Sequence, residues 1–208
     1  MNDENRNKRL RLLIARLNKE RKKQARQIDI LCNDFVTAQK DFIKALGAIS
    51  FAADFYEGIT GLTDLNELLC TAGELAKEQI PDTNIAFFLL RDESFEMHIF
   101  ESDRPIGLDE RRIENFFTTE LVDNIARSNR VCTVDDMLEM GLQCSGTCLE
   151  KITAAALPLN ARSGSLGFIL IYRCSQKPLT CGEINCIAQI TPGLARSVNA
   201  CRAAAHSV

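Results

Sequence analysis

From Leu10 to Ile49 an apolar side chain returns every three or four residues. Leu10, Ile14, Leu17, Ile28, Leu31, Phe35, Ala38, Phe42, Ala45 and Ile49 share one heptad seam. Only Arg21 and Gln24 interrupt it, and neither Pro nor Gly occurs before Gly47. A 3.5-residue apolar period held this long predicts a helix that pairs with another helix. Residues 1–50 therefore read as an N-terminal amphipathic, coiled-coil helix. Leu10, Ile14, Leu17, Ile28, Leu31, Phe35 and Phe42 are the expected interface of a homodimer. The polar layer at Arg21 and Gln24 costs stability and can set register or oligomer state.

The net charge of −3 hides an asymmetry. Residues 1–26 carry ten Lys and Arg against three Asp and Glu, and the remainder is strongly acidic. Lys8, Arg9, Arg16, Lys22 and Lys23 fall mostly at b and c, away from the seam. They read as a solvated outer face, and neither a nucleic acid nor a membrane is expected as partner. No apolar run reaches the roughly 18–20 residues needed to cross a bilayer. The polar N-terminus lacks the apolar core of a secretory signal. The expected location is cytoplasmic, with the nine cysteines reduced.

Residues 51–208 read as one α+β domain. Thr63-Asp64 can cap a helix running to about Glu78, with an Asp64/Glu67 capping box. Ile85–Leu90 is a continuous apolar run, as in a central strand buried on both faces. Phe95, Met97 and Ile99 alternate with Glu96 and His98, which makes a hairpin partner. Asp109 can cap a helix reaching Arg127. Val131–Val134, Thr153–Leu159 and Leu166–Tyr172 read as strands, with Pro158 placing the second at an edge or bulge. Asp135-Asp136 reads as a helix N-cap after a strand rather than as an acid–base pair. Thr180-x-x-Glu183 opens a final helix that Pro192-Gly193 should kink or interrupt.

Ala155–Leu159, a polar turn, Leu166–Leu170, then Leu179-Thr-x-x-Glu183 with Ile187-Ala188 resembles the C-terminal half of a GAF domain. The helix, hairpin and Val131–Asp136 upstream fit the same order. The resemblance spans roughly residues 52–204. It implies a GAF-like antiparallel sheet with helices packed on one face, often forming the dimer interface. It also implies a small-molecule pocket on the other face, involving Phe88, Leu90, His98, Phe100, Phe117, Cys132, Cys144 and Cys148. The implied function is a dimeric sensory or regulatory module that binds an unidentified small molecule and signals through its terminal helices to a downstream protein. The leading heptads and the last helix would both leave apolar stripes for a dimer to bury.

No ligand signature is complete. The Asn-Lys…Phe…Asp-Glu set of cyclic-nucleotide-binding members is absent. Neither His98 nor His206 follows a Cys, as bilin attachment would need. Cys148 stands before Pro158 much as a reactive cysteine does in free methionine sulfoxide reductase, but the histidine context of that enzyme is missing. No catalytic motif is complete, and the cofactor stays unknown. Gln143-Cys-Ser-Gly-Thr-Cys-Leu149 holds Cys144 and Cys148 around one glycine. They could bind a metal or iron–sulfur cluster with Cys132, and with Cys174 as a fourth thiolate, form a reversible disulfide with each other, or simply sit in a loop. No C-x₂-C knuckle favours the metal. Cys32, Cys70, Cys181, Cys186 and Cys201 read as small structural residues.

Overall fold

The computed structural model describes residues 3–91, 94–100, 113–143, 152–161, 164–174 and 176–205. The chain divides into two units, Met1–Ile49 and Ser50–Val208, and the division falls inside helix α1, Asp3–Ile59. In the first unit Leu10, Ile14, Leu17, Ile28, Leu31, Phe35 and Phe42 are all 48–69% exposed. An isolated helix gains little from propensity alone, so a face this apolar needs a partner surface to contribute to stability.

The second unit is a five-stranded antiparallel sheet in the order β2-β1-β5-β4-β3. The strands are β1 Asn84–Arg91, β2 Ser94–Phe100, β3 Cys132–Thr133, β4 Ile152–Ala161 and β5 Gly164–Cys174. Alternation along β1 sends Ile85, Phe87 and Leu89 to one face and Ala86 and Phe88 to the other, and all five are buried. The first face packs the end of α1 through Phe51, Phe55 and Ile59. It also packs α2 (Leu65–Gln79) and the last helix, α5 (Cys181–Ala205). The second face carries α3 (Thr119–Arg127), α4 (Val134–Glu139) and a 3₁₀ turn at Ile113–Phe116.

Local chemistry sets the helix ends. Asp64 Oδ1 accepts from Glu67 N at 2.8 Å and starts α2. Thr180 N donates to Glu183 Oε2 at 2.7 Å while Glu183 N donates to Thr180 Oγ1 at 3.3 Å, the reciprocal box expected for α5. The helix before Arg127 is shorter than its apolar pattern implies. Thr118 takes extended backbone and accepts from Leu121 N at 3.3 Å, so α3 begins at Thr119 and the 3₁₀ turn stands apart. Asp109 lies outside the described residues. Val134 is helical rather than extended, because Thr133 caps α4 and Asp136 closes the box as its third residue.

Pro192 neither ends nor interrupts α5. A proline leaves the carbonyl four residues back without its N–H partner. Here Thr191 Oγ1 donates to Ala188 O at 3.0 Å, and Tyr56 Oη, from α1, donates to Gln189 O at 3.0 Å. Gly193 makes room for that tyrosine, since a Cβ there would lie 2.0 Å from Tyr56 Cε1. Pro158 sits within β4, whose far side is covered by β3 only at Ala155 and Ala156. A register shift follows at Leu159/Asn160.

Two expectations are corrected by burial. The apolar stripe of α5 is not left for a dimer: Ile187, Leu194 and Val198 are buried on the sheet of their own chain, and Ile184 and Ala188 pack against the same core. Cys32, Cys70 and Cys181 are exposed rather than core residues. Cys70 is one residue past Leu69, and a turn of about 100° carries it from the buried stripe to solvent. Cys201 is buried and Cys186 half-buried.

Candidate functional site

The face under α3 and α4 is an aromatic cluster centred on Phe88. Phe88 and Phe168 are cross-strand partners on β1 and β5, and their rings stack at 4.7 Å with 14° between planes. Phe117, just before α3, lies 4.9 Å from Phe88 and 5.8 Å from Phe168, and Phe95 of β2 lies 5.5 Å from Phe88. Cross-strand aromatic pairs of this kind contribute roughly 0.5–1.5 kcal/mol beyond the area they bury. Leu90 and Ile99 pack against the core of this face, and Tyr172 is buried in the same core.

Polar groups gather at one border of this face. Cys132 is fully buried; its Sγ lies 3.2 Å from Ser128 Oγ and donates to Arg130 O at 3.5 Å. Arg130 Nη2 bonds Asp136 Oδ1 at 2.7 Å, and Asp136 Oδ2 accepts from Thr133 N and Oγ1, each at 2.8 Å. The bonds from the Thr133 backbone and side chain, with Arg130 beside them, hold the Asp136 carboxyl below its ordinary range. A carboxylate so engaged is a helix-capping group, and its charge is neutralised locally.

The order and pairing of these strands match solved structures. A GAF domain from a phosphoenolpyruvate-protein phosphotransferase of Coxiella burnetii superposes with a TM-score of 0.57 at 12% identity, covering 78% of this chain and 98% of that one. The GAF/HD domain protein from Geobacter sulfurreducens gives 0.51 at 16% identity, over 69% and 97%. A far-red-absorbing protein with bound biliverdin gives 0.50 at 12% identity, over 72% and 98%. No family model and no curated protein matches the sequence.

The second unit has the GAF fold.

Within this GAF sheet the expected pocket residues divide between faces. Phe88, Leu90, Phe117 and Cys132 belong to the α3 side. His98 and Phe100 do not. In the β1–β2 register His98 stands opposite Phe87 and Phe100 opposite Ile85, both of which face the terminal helices. Phe100 meets Phe87 edge-on at 5.6 Å and covers Gly73 of α2, where a Cβ would lie 2.7 Å from Phe100 Cγ. Its role is to space β2 from α2. His98 is half-buried, with Nε2 unbonded. Cys144 and Cys148 lie outside the described residues, as does the side chain of Cys174. Among the described residues no three His, Cys, Asp or Glu side chains converge as a metal site would need.

Phe95, Phe168 and Tyr172 are the members of the cluster that the sequence did not single out. Each sits in an ordinary strand pattern. The Phe88–Phe168 pairing puts Phe168, and Tyr172 four residues on, on the face of Phe88, and the Leu90–Phe95 pairing puts Phe95 there. No helix among the described residues is long and apolar enough to cross a membrane.

Proposed function

We propose that this chain is a sensory GAF module. It dimerises through α1, holds a small molecule against the Phe88 face, and passes the state of that face to its terminal helices. The observation that carries the reading is the double use of β1. Phe88 centres the aromatic cluster, while Phe87 and Leu89, its chain neighbours, pack in the core with α1, α2 and α5. A ligand that displaces Phe117 or Phe95 therefore acts on a strand whose other face holds the helices. Close-packed interiors transmit such shifts because they have few voids to absorb them. A structural neighbour that carries biliverdin supports ligand binding on this fold, although this chain lacks the Cys-His pair expected for bilin attachment.

The exposed seam of α1 supports the dimer. Phe35 and Phe42 are a-position residues, 69% and 63% exposed, and a second copy would bury both. Light scattering of the full chain is expected to give a dimer, and Phe35→Asp with Phe42→Asp is expected to give a folded monomer. A monomeric wild-type chain would refute the dimer. Native mass spectrometry of the protein as isolated reads the ligand in the same experiment. A bound mass lost in Phe117→Ala supports the Phe88 face, and a mass retained there points elsewhere.

A further inference from the structure

A second concavity, of about 1030 Å³, opens where the β1–β2 end of the sheet meets the start of α2, the body of α3 and the last turn of α5. It adjoins the Phe88 cluster at Leu90 but holds none of its aromatic rings. Leu65, Leu90 and Ala204 give it apolar walls, and Arg91, Arg127 and Arg202 give it three guanidinium groups.

The charges of this cleft are not equivalent. Arg127 Nε is bonded to Asp123 Oδ1 at 2.9 Å. Arg91 pairs with Glu96. Asp64, the third carboxylate, is engaged as the N-cap of α2. Arg202 is different. Its Nη2 is buried with no hydrogen-bond partner, and no ion pair joins it to another described residue. Burial lowers its pKa, Glu96 offsets this and Arg91 adds to it. Two guanidinium groups thus share one carboxylate, and that carboxylate is bonded to the more exposed of them. A buried N–H without an acceptor is costly, and more so on a cation. An oxyanion beside the guanidinium would offset its burial and the repulsion between Arg202 and Arg91.

We propose that this cleft binds a small molecule bearing a carboxylate or phosphate on a compact apolar body, with Arg202 as the anchoring residue. The oxyanion meets the cleft-facing edge of the Arg202 guanidinium and the apolar part lies against Leu65 and Leu90. The site draws on α2, α3, α5 and the hairpin together, so its occupant bridges the helices of both faces of the sheet. The assignment does not depend on the reading of the Phe88 face.

The test follows the Nε–Hε resonances of Arg202 and Arg91 in full-length protein labelled with ¹⁵N-arginine, Arg91 alone reporting where Arg202 is replaced. Separate titrations use inorganic phosphate, acetate and benzoate at constant ionic strength. A saturable shift with phosphate identifies a phosphate site, and one with the carboxylates identifies a carboxylate site. Benzoate is expected to bind more tightly than acetate, because its ring adds apolar burial. Arg202→Met is expected to weaken binding about tenfold or more, as loss of a charge-assisted bond does, while Arg196→Gln, at an exposed position of α5 outside the cleft, changes it by less than about twofold. Shifts that stay linear for all three probes would overturn the proposal, and so would equal affinity in Arg202→Met. Should Arg202→Met fail to fold, the wild-type resonance alone still decides between saturable and linear.

Discussion

Gly167 is where the backbone geometry beneath the Phe88 cluster can be tested most directly. Its φ is +136°, and a Cβ built there would lie 1.8 Å from the carbonyl oxygen of Phe88 and 3.0 Å from Leu89 Cα. Both are backbone atoms of the neighbouring strand, so no rotamer change relieves the contact. For Gly167→Ala the positive φ costs roughly 1–2 kcal/mol. Forcing the strands apart adds roughly 1–3 kcal/mol, as overpacking of a filled core does. The total, about 2–5 kcal/mol, is a large share of the roughly 5–15 kcal/mol that holds a typical domain folded. At about 2–4 °C per kcal/mol for a chain of this size, the melting temperature should fall by about 4–20 °C.

Gly164 is the control. Its φ is +134°, nearly the same, but nothing lies within 4 Å of a Cβ there. Gly164→Ala carries the dihedral cost alone, and the loss of unfolded-chain entropy is the same for both substitutions and cancels between them. Thermal melts followed by circular dichroism should therefore show Gly167→Ala well below Gly164→Ala. Equal melting temperatures would refute the close approach of β5 to β1, and with it the stacking of Phe168 on Phe88.

Two further substitutions test the terminal helices. Tyr56→Phe removes the donor to Gln189 O beside Pro192 and should cost about 0.5–1.5 kcal/mol by urea denaturation; no change would mean that water serves that carbonyl equally well. At Glu183, burial raises the carboxyl pKa, but the bonds from the Thr180 backbone, Arg173 and the Thr180 side chain outweigh it and hold it below 4.5. A depressed folded value stabilises the protein above the unfolded pKa, and this is lost as pH falls through the folded value. The wild type should lose stability progressively below about pH 4.5. Glu183→Gln should flatten that acid limb and cost about 3 kcal/mol at neutral pH, because Arg173, only 3% exposed, then keeps no carboxylate among the described residues. A variant with an unchanged acid limb would refute the role of the pair.

The cores of most elements and the caps of α2 and α5 were legible because their signals are local. Ile85–Leu90 is apolar without alternation, so it had to be a strand covered on both sides. Asp64 and Thr180 lie directly before the apolar periods that they cap. The start of α3 was not legible, because Asp109 and Thr118 are both acceptable caps and the choice rests on how the chain enters the Phe117 contact. The continuity of α5 through Pro192 was less legible than its start: the orphaned Ala188 O is served by the neighbouring Thr191 Oγ1, but the hydroxyl that donates to Gln189 O comes from Tyr56, 133 positions earlier.

The sequence by itself determined that a long heptad helix precedes an α+β domain and that this helix carries an apolar seam. Those are properties of period and composition, which act between residues a few positions apart. Tertiary structure decided which aromatic side chains meet. Phe88, Phe117 and Phe168 converge while Phe100 turns to the helices, because strand pairing and register assign each residue to a face. Tertiary structure also decided that Nη2 of Arg202 is left without a partner among the described residues. Its environment is assembled from α3, α5 and a hairpin far apart in sequence, and no local pattern records which carboxylates its neighbours have already taken.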